Sequence, residues 1–171
     1  MKAYRITKER YAALSASGYP GRWNSAGVYV IYAGEHRSLS ILENIAHNPT
    51  IPILERYVTL VIDIPDDIKT QTLEPNQLPT GWDRRDQHAK EVCQMIGDEF
   101  VTSQDAVVLR VPSAIVPQEY NLVISTSHPD FARIGVTATE RFEFDPRIVS
   151  RESDQDRNPD ETEDSGPVLV S

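Results

Sequence analysis

Short segments rich in β-branched and aromatic residues recur along the chain without alternating regularly with helices, and this limits its fold class. Four of them are bounded by glycine, proline or polar residues and are predicted to be strands: residues 27–33, 57–64, 106–111 and 120–125. The alternating run at 140–145 predicts a fifth strand at an edge. A doubly wound sheet requires regular strand–helix alternation, so the pattern predicts an α+β fold with a largely antiparallel or split sheet.

Two segments have the apolar spacing of amphipathic helices. The first spans residues 38–47, ends at Asn48-Pro49, and places on one stripe Leu39, Leu42, Ile45 and Ala46. The second spans residues 86–100, and its apolar positions are Ala89, Val92, Cys93, Ile96 and Phe100. Gly97 is a weak point of this helix because glycine lowers helix propensity. Residues 65–85 between the second strand and this helix are predicted to be rich in turns.

The 171 residues suit a single domain, and the hydrophobic fraction of 39% is sufficient for a core. A single cysteine excludes an intramolecular disulfide framework, so we expect a reducing, cytoplasmic environment. No stretch approaches the roughly 20 apolar residues of a membrane helix, and the first residues do not resemble a secretion signal. The net charge of -9 disfavours general nucleic-acid binding, which depends on neutralising phosphates.

The acidic charge is concentrated at the C-terminal end of the chain. Residues 151–171 contain seven acidic and two basic residues and have one short apolar run, Val168-Leu169-Val170. Such a segment buries too little apolar surface to offset the entropy lost on ordering, so it is predicted to be a disordered tail. The predicted domain organisation is therefore a folded domain over residues 1–150 and an acidic tail over 151–171. The tail serves either solubility or a weak partner contact.

General catalytic and metal-binding motifs are absent from the sequence. It contains no GxxxxGK[ST], GxGxxG, HExxH, GxSxG or CxxC pattern. The four histidines lie at positions without metal-ligand spacing: His36, His47, His88 and His128. Cys93 lies on the buried stripe of a predicted helix, which favours a small core residue over a nucleophile. No metal site is therefore expected.

Three residues have charged or polar side-chain groups that packing alone does not require. Arg22 lies in the loop Gly21-Arg22-Trp23-Asn24, where it is either a solvated charge or a guanidinium positioned to bind phosphate. Tyr32 near the end of the first predicted strand either packs in the core or lines a pocket. Glu43 interrupts an apolar helical stretch, and Ser40-x-x-Glu43 also matches a capping box, in which the glutamate has a purely structural role.

Taken together, fragments distributed from Tyr4 to Ile148 resemble the RES domain of bacterial toxin–antitoxin systems. Each fragment is weak alone, but their order and spacing are specific. The fragments are Tyr4-Arg5-Ile6, Gly21-Arg22-Trp23-Asn24, Val30-Ile31-Tyr32, Ser40-Ile41-Leu42-Glu43 with His47, Leu78-Pro79-x-Gly81-Trp82, Val111-Pro112-Ser113-Ala114, Glu119-Tyr120-Asn121, His128-Pro129-Asp130 and Phe142-Glu143-Phe144-Asp145-Pro146-Arg147.

The resemblance implies a fold similar to that of diphtheria-type ADP-ribosyltransferases, with two packed small sheets and helices around a cleft. It implies a toxin that consumes NAD+ as substrate, without a separate cofactor, by hydrolysis or phosphorolysis of the nicotinamide–ribose bond. Two alternatives stay open. The protein could transfer ADP-ribose to another protein, or it could be a non-catalytic binding domain of the same fold. The implied partner is an Xre-type helix-turn-helix antitoxin, and a homodimer also stays open.

The resemblance also assigns site residues. The family's named arginine, glutamate and serine correspond to Arg22, Glu43 and Ser113, and Tyr32 corresponds to its pocket tyrosine. In this interpretation Glu43 stabilises the oxocarbenium-like ribose, Arg22 binds the pyrophosphate, Tyr32 stacks on nicotinamide, and Ser113 orients the ribose or Glu43. For Ser113, a plain turn hydroxyl is the structural alternative.

Two further residues, Asn121 and His47, fall in family motifs and are implied to bind substrate. The sequence departs from the family after Asn121. There Ser125-Thr126-Ser127-His128-Pro129 replaces the usual Asn-Pro-x-His-Pro turn, and this change is expected to alter one wall of the site or one subunit contact.

Overall fold

A computed structural model describes residues 1–48 and 55–148. Within these ranges the chain forms a mixed sheet and two α-helices, with three short 3-10 segments. The strands are β1 (Lys2–Lys8), β2 (Val30–Gly34), β3 (Tyr57–Asp63), β4 (Thr70–Thr72), β5 (Val108–Pro112), β6 (Tyr120–Ser125) and β7 (Gly135–Phe142). The helices are α1 (Arg37–His47) and α2 (Gln87–Ser103).

The strands form one seven-stranded sheet in the order β4-β5-β6-β2-β1-β3-β7. All neighbours are antiparallel except β4 and β5, which are parallel. The predicted α+β class and largely antiparallel sheet are therefore confirmed. The expectation of two separate packed sheets is wrong for the described residues, because hydrogen bonds connect all seven strands.

The sheet is nevertheless almost divided at its centre. Strands β1 and β2 pair at one register position, Tyr4 opposite Gly34, whereas β1 pairs with β3 over its full length, from Lys2 opposite Asp63 to Lys8 opposite Tyr57. Because the two central strands diverge beyond that single pair, side chains from both can line a space between them. The division of the sheet thus positions the cavity described below.

Alternating side chains of the sheet build two apolar layers on its opposite faces. On β2, Ile31 and Ala33 belong to one layer and Val30 to the other. Helix α2 covers the second layer with Cys93 and Phe100. The buried position of Cys93, as a small core residue, agrees with its predicted role, and burial raises the pKa of its thiol.

The two predicted helices are confirmed, with two corrections. Leu42 is 44% exposed, so the predicted apolar stripe of α1 is wrong at this position. Gly97 in α2 is not simply a weak point: a Cβ atom there would lie 1.8 Å from the backbone oxygen of Trp23. Glycine is required at this position because the loop before β2 packs directly against the helix backbone.

The strand predicted at 120–125 is confirmed at the same residues, three others are confirmed with shifted boundaries, and the last one is misplaced. Strand β7 lies at an edge, as expected, but it spans Gly135–Phe142 and not 140–145. Two strands were not predicted. Strand β1 was missed because its sequence, KAYRITK, contains three basic residues, and β4 lies in the region predicted to consist of turns.

The predicted disordered tail, residues 151–171, lies outside the described residues. Neither described helix has the length and apolar character needed to cross a membrane.

Candidate functional site

A cavity of about 420 Å³ opens where β1 and β2 diverge. Its walls come from these two strands, from α1 and from the loop that precedes β2. The volume lies within the range of roughly 300–1,000 Å³ that is typical of small-molecule sites. The polar side chains that line it and bear on the chemistry are Arg5, Arg22, Tyr32, Glu43, His47 and Asn121.

Glu43 projects from α1, and one of its carboxylate oxygens is held by two side-chain donors. Ser113 Oγ donates to Glu43 Oε1 at 2.8 Å, and Asn121 Nδ2 donates to the same oxygen at 2.5 Å. The capping-box interpretation is wrong, because α1 begins at Arg37 and Ser40 Oγ donates to the backbone oxygen of Tyr4. The carboxylate is therefore oriented by tertiary contacts and not by the helix terminus.

Ser113 lies at the end of β5, immediately after Pro112, and is fully buried at 0% exposure. Its hydroxyl oxygen accepts hydrogen bonds from the backbone N–H groups of Ile115 and Val116, both at 3.0 Å. The single hydroxyl proton is thus directed to Glu43. Ser113 acts as a turn hydroxyl, as the structural alternative holds, and it also contacts the carboxylate.

Asn121 and His47 approach Glu43 from two sides. Asn121 lies on β6, next to β2, opposite Gly34. His47 lies one turn after Glu43 on α1, with its Nδ1 atom 2.8 Å from the backbone oxygen of Glu43 and 3.9 Å from Oε2. The imidazole is 72% exposed, so it lies at the rim of the cavity.

Tyr32 on β2 presents a fixed phenol to the cavity. Its hydroxyl donates to Asn24 Oδ1 at 2.7 Å and accepts from the backbone N–H of Trp23 at 2.9 Å. Burial raises the pKa of this phenol above its ordinary value, although the hydrogen bond from Trp23 acts in the opposite direction. The hydroxyl is consequently a neutral donor at physiological pH, and the ring cannot rotate away without breaking both bonds.

Arg22 is held by the backbone of the segment before α2. Its Nη1 atom donates to the carbonyl oxygens of Trp82 at 2.7 Å and Arg84 at 3.2 Å, and Nη2 donates to Arg84 at 3.2 Å. A guanidinium has five N–H donors. The two without an oxygen acceptor among the described residues are the Nε–H and one Nη2–H, which lie side by side on one edge, and the guanidinium also lies near the Cys93 thiol. This edge is a bidentate donor of the kind that binds phosphate oxygens.

Asn24 connects Arg22's loop to Tyr32 and is almost fully buried. Its Nδ2 atom donates to three backbone oxygens, those of Tyr19, Ser25 and Val28, while Oδ1 accepts from Gly21 N and from the Tyr32 hydroxyl. One amide side chain thus fixes the course of the loop. Asn24 lies in one of the fragments that resemble the RES domain, but the resemblance assigns it no role.

Helix α2 holds the same loop from outside the cavity. Gln94 Nε2 donates to the backbone oxygens of Gly21 and Asn24 at 2.9 and 3.0 Å, and Asp98 Oδ1 accepts from Ser25 N at 2.9 Å. Gly97 lies between these two residues and allows the close contact with Trp23. The loop is therefore bound along one face of α2.

Arg5 is a residue of the site that the sequence did not indicate. It lines the cavity from β1, and burial lowers the pKa of its guanidinium. Its Nη1 atom reaches the backbone oxygen of Ser15 at 3.5 Å, and no ion pair joins it to a carboxylate of residues 1–48 or 55–148. Basic residues stand at every third position of β1, at Lys2, Arg5 and Lys8, and obscure the alternation of a strand, so no local signal indicated this cation.

The structure brings together all of the residues that the sequence predicted for the site. Arg22, Tyr32, Glu43, His47 and Asn121 line the cavity directly, whereas Ser113 contacts it through the Glu43 carboxylate. Two arginines and one carboxylate in a half-enclosed space suit a ligand that has an anionic part and a part that develops positive charge. Among the described residues no three His, Cys, Asp or Glu side chains are grouped as a metal ion would require.

The segment that departs from the family pattern does not contribute to the cavity wall. His128 Nδ1 accepts from the backbone N–H of Asp130, and Nε2 lies 3.1 Å from the backbone oxygen of Gln104. Ser125 and Ser127 contact each other through their hydroxyls. The expectation that this change alters one wall of the site is therefore wrong, and a subunit contact stays a prediction.

The chain is similar to a known domain family and to several known proteins. The profile described as RES domain matches residues 2–145. The Prs ADP-ribosylating toxin of a Sphingobium species is 36% identical over 135 residues, which cover 77% of this chain and 81% of that protein. Toxin Res of Yersinia enterocolitica is 34% identical over 154 residues, covering 86% and 99% respectively.

Toxin Res of Photorhabdus laumondii is 32% identical over 157 residues, which cover 87% of this chain and 97% of that protein. The region that matches the RES domain extends over β1 to β7 and includes every residue of the cavity described above. Because these matches cover most of its length, the chain belongs to the RES domain family of toxins.

Proposed function

We propose that this protein is a toxin that consumes NAD+ by breaking the bond between nicotinamide and ribose. The observation that carries the proposal is the Glu43 carboxylate, which two donors orient in a cavity shared with Arg22 and Tyr32. The leaving group departs as neutral nicotinamide and needs no general acid. The principal requirement is stabilisation of the positive charge that develops on the ribose.

Glu43 meets this requirement through its second oxygen. Ser113 and Asn121 both bind Oε1, so Oε2 is the oxygen left to face the anomeric carbon or the ribose hydroxyls. A carboxylate already fixed in direction needs little reorganisation as charge develops, which is the general basis of electrostatic catalysis. In this proposal Ser113 and Asn121 are positioning residues and Glu43 is the catalytic residue.

Arg22 and Tyr32 would bind the two ends of the nicotinamide half of NAD+. The unpaired edge of the Arg22 guanidinium suits two pyrophosphate oxygens, and Arg5 supplies a second cation in the same cavity. The immobilised ring of Tyr32 offers a face for nicotinamide, and the rim position of His47 suits a contact with a ribose hydroxyl.

The atoms balance in a simple way for each acceptor. The C–N bond breaks with its electron pair going to the nicotinamide nitrogen, and an acceptor oxygen forms a new bond to the anomeric carbon while losing a proton to solvent. Water gives ADP-ribose, and inorganic phosphate gives ADP-ribose phosphorylated at the anomeric carbon. The purified protein incubated with NAD+, with and without phosphate, is expected to release free nicotinamide, and absence of release would overturn the proposal.

Transfer of ADP-ribose to a protein is the second candidate, and a specific similarity favours it. The Sphingobium relative is named Prs ADP-ribosylating toxin. In the same incubation, transfer requires that label from the adenylate half of NAD+ becomes attached to a protein added to the reaction. Nicotinamide release without such attachment favours hydrolysis or phosphorolysis. A non-catalytic binding domain would retain NAD+ intact.

As a toxin consuming cellular NAD+, the protein would act in the cytoplasm and require a neutralising partner. We expect this partner to be an Xre-type helix-turn-helix antitoxin with a segment that covers the cavity, and self-association of the toxin is compatible with that arrangement. Co-expression followed by co-purification with the product of a neighbouring reading frame tests the partner. The acidic segment 151–171 remains a proposed tail to the domain of residues 1–150.

A further inference from the structure

We infer that Tyr19 is the platform on which the adenine base of the substrate stacks. The inference rests on the proposed function and makes it more specific, since it requires a dinucleotide substrate and not a nicotinamide mononucleotide. Tyr19 belongs to the same loop as Arg22 and lines the same cavity.

Tyr19 is unusually exposed for a large aromatic residue that lines a cavity. Its ring is 80% exposed, the largest fraction among the exposed large apolar residues of the described chain. Within residues 1–48 and 55–148 the ring has neither an aromatic partner nor an arginine over its face, whereas Tyr11 is covered by Arg10 and Tyr4 by Arg37. A flat apolar face at a cavity mouth is suited to stacking by a planar ligand.

The backbone that carries this ring is fixed, which distinguishes it from a mobile surface side chain. Tyr19 N donates to Ser17 Oγ at 3.3 Å, and the Tyr19 carbonyl oxygen accepts from Asn24 Nδ2 at 2.9 Å. Pro20 follows directly, and its ring fixes its own φ angle and restricts the backbone of Tyr19 to extended conformations. Little conformational freedom of the main chain would therefore be lost when a ligand binds.

The groups that Tyr19, Arg22 and Tyr32 bring to one cavity match the groups of a dinucleotide. Asn24 binds the Tyr32 hydroxyl through Oδ1 and the Tyr19 carbonyl through Nδ2, so a single side chain sets the spacing of the two tyrosines. Tyr32 is half-buried on β2, and Tyr19 is largely exposed. Arg22 lies between these two tyrosines in the sequence and lines the same cavity. This arrangement presents a ring, a phosphate-binding edge and a second ring.

The chemistry fixes which base lies at which ring. The bond to be broken must lie next to Glu43, which is inside the cavity, so nicotinamide belongs with Tyr32. The adenine base then extends outward to Tyr19. Stacking of a base on an aromatic side chain strengthens binding on the order of tenfold, and it does not need the tyrosine hydroxyl.

Binding of ADP and of inorganic pyrophosphate to the full chain, measured by titration calorimetry, separates the stacking contribution from the phosphate contribution. The variants are Tyr19→Ala, Tyr19→Phe and, as a matched control, Tyr11→Ala, which removes another exposed tyrosine that does not line the cavity. We expect Tyr19→Ala to weaken ADP binding about tenfold and to leave pyrophosphate binding unchanged. Tyr19→Phe and Tyr11→Ala should resemble the unaltered protein.

Equal effects of Tyr19→Ala on both ligands, or no effect on ADP, would overturn the inference. The inference would also be overturned if the unaltered protein did not bind ADP more tightly than pyrophosphate. Failure of the proposed function is recognised separately, because it appears as absence of nicotinamide release by the unaltered protein. If nicotinamide is released and the KM for NAD+ is insensitive to Tyr19→Ala, the activity stands and the adenine platform does not.

Discussion

The two walls of the cavity are built by different means. The α1 wall presents Glu43 from a regular helix, and its carboxylate is oriented by side chains from β6 and from the turn after β5. The loop wall presents Arg22 and Tyr19 from irregular backbone, which is held by Asn24 and by one face of α2. The first wall orients one charge, whereas the second fixes the course of a chain segment.

This difference indicates how each wall should respond to substitution. Changing Glu43 or its donors alters the charge and direction of one carboxylate but leaves the helix in place. Changing the residues that hold the loop displaces several groups at once, because the loop's shape depends on contacts with helix backbone. Substitution of Glu43 on the α1 wall should therefore reduce activity without reducing stability, whereas substitution of the residues that hold the loop wall should reduce both.

The largest effect is expected for Glu43→Gln. Glutamine retains an oxygen that can accept from Ser113 and Asn121 but removes the negative charge, so kcat for nicotinamide release should fall by roughly 10²–10³. The thermal unfolding midpoint should stay close to that of the unaltered protein. Glu99→Gln, at an exposed position on α2, is the matched control. Retention of activity by Glu43→Gln would contradict the catalytic role.

Gly97→Ala tests the loop wall with the smallest chemical change. The added Cβ would lie 1.8 Å from Trp23 O, so the helix and loop must separate, at roughly 1–3 kcal/mol of unfolding free energy. Activity should fall together with stability, as measured by urea denaturation and nicotinamide release. Gly135→Ala introduces a Cβ with no atom within 4 Å and should change neither quantity. Comparable stability of the two variants would show that the loop does not depend on α2.

Arg22→Lys distinguishes binding of phosphate from packing on the loop wall. Lysine is a point charge and cannot bind the Trp82 and Arg84 carbonyls while presenting a bidentate edge to the ligand. We expect the KM for NAD+ to rise about tenfold, in line with the loss of a charge-assisted hydrogen bond. Arg85→Lys, at an exposed position nearby, is the control. An unchanged KM would count against phosphate binding by Arg22.

Ser113→Ala should have the smallest effect on the reaction. It removes one of two donors to Glu43 Oε1, so kcat should decrease by a factor of about three to ten while Asn121 still orients the carboxylate. Because the Ile115 and Val116 amides also lose their acceptor, unfolding free energy should decrease by roughly 1–3 kcal/mol. A loss of activity as large as that of Glu43→Gln would show that Ser113 contacts the substrate directly.

The elements that the sequence predicted well are those with a local signal. Strand β6 matches its predicted residues, 120–125, because a continuous apolar run between polar residues has few other interpretations. Strand β1 lies at the centre of the sheet, yet it was missed because its basic residues mask the alternation. Arg5, and with it the second cation of the cavity, was missed for the same reason.

The candidate site was predicted from the resemblance, because its geometry has no local signal. Ser113 and Asn121 are 70 and 78 residues away from Glu43 along the chain. Local spacing favoured a capping box for Glu43, and only the start of α1 at Arg37 removes that alternative. The contact between Gly97 and Trp23 likewise depends on packing between distant segments, so sequence alone indicated a destabilising glycine and not a required one.

A crystal structure of the Glu43→Gln variant with NAD+ bound is the most direct test of whether both walls serve one ligand. We expect intact dinucleotide in the cavity, with pyrophosphate oxygens on the Nε and Nη2 edge of Arg22 and the nicotinamide ribose within hydrogen-bond distance of residue 43. NAD+ bound outside this cavity, or bound in it with the ribose away from residue 43, would contradict the shared site.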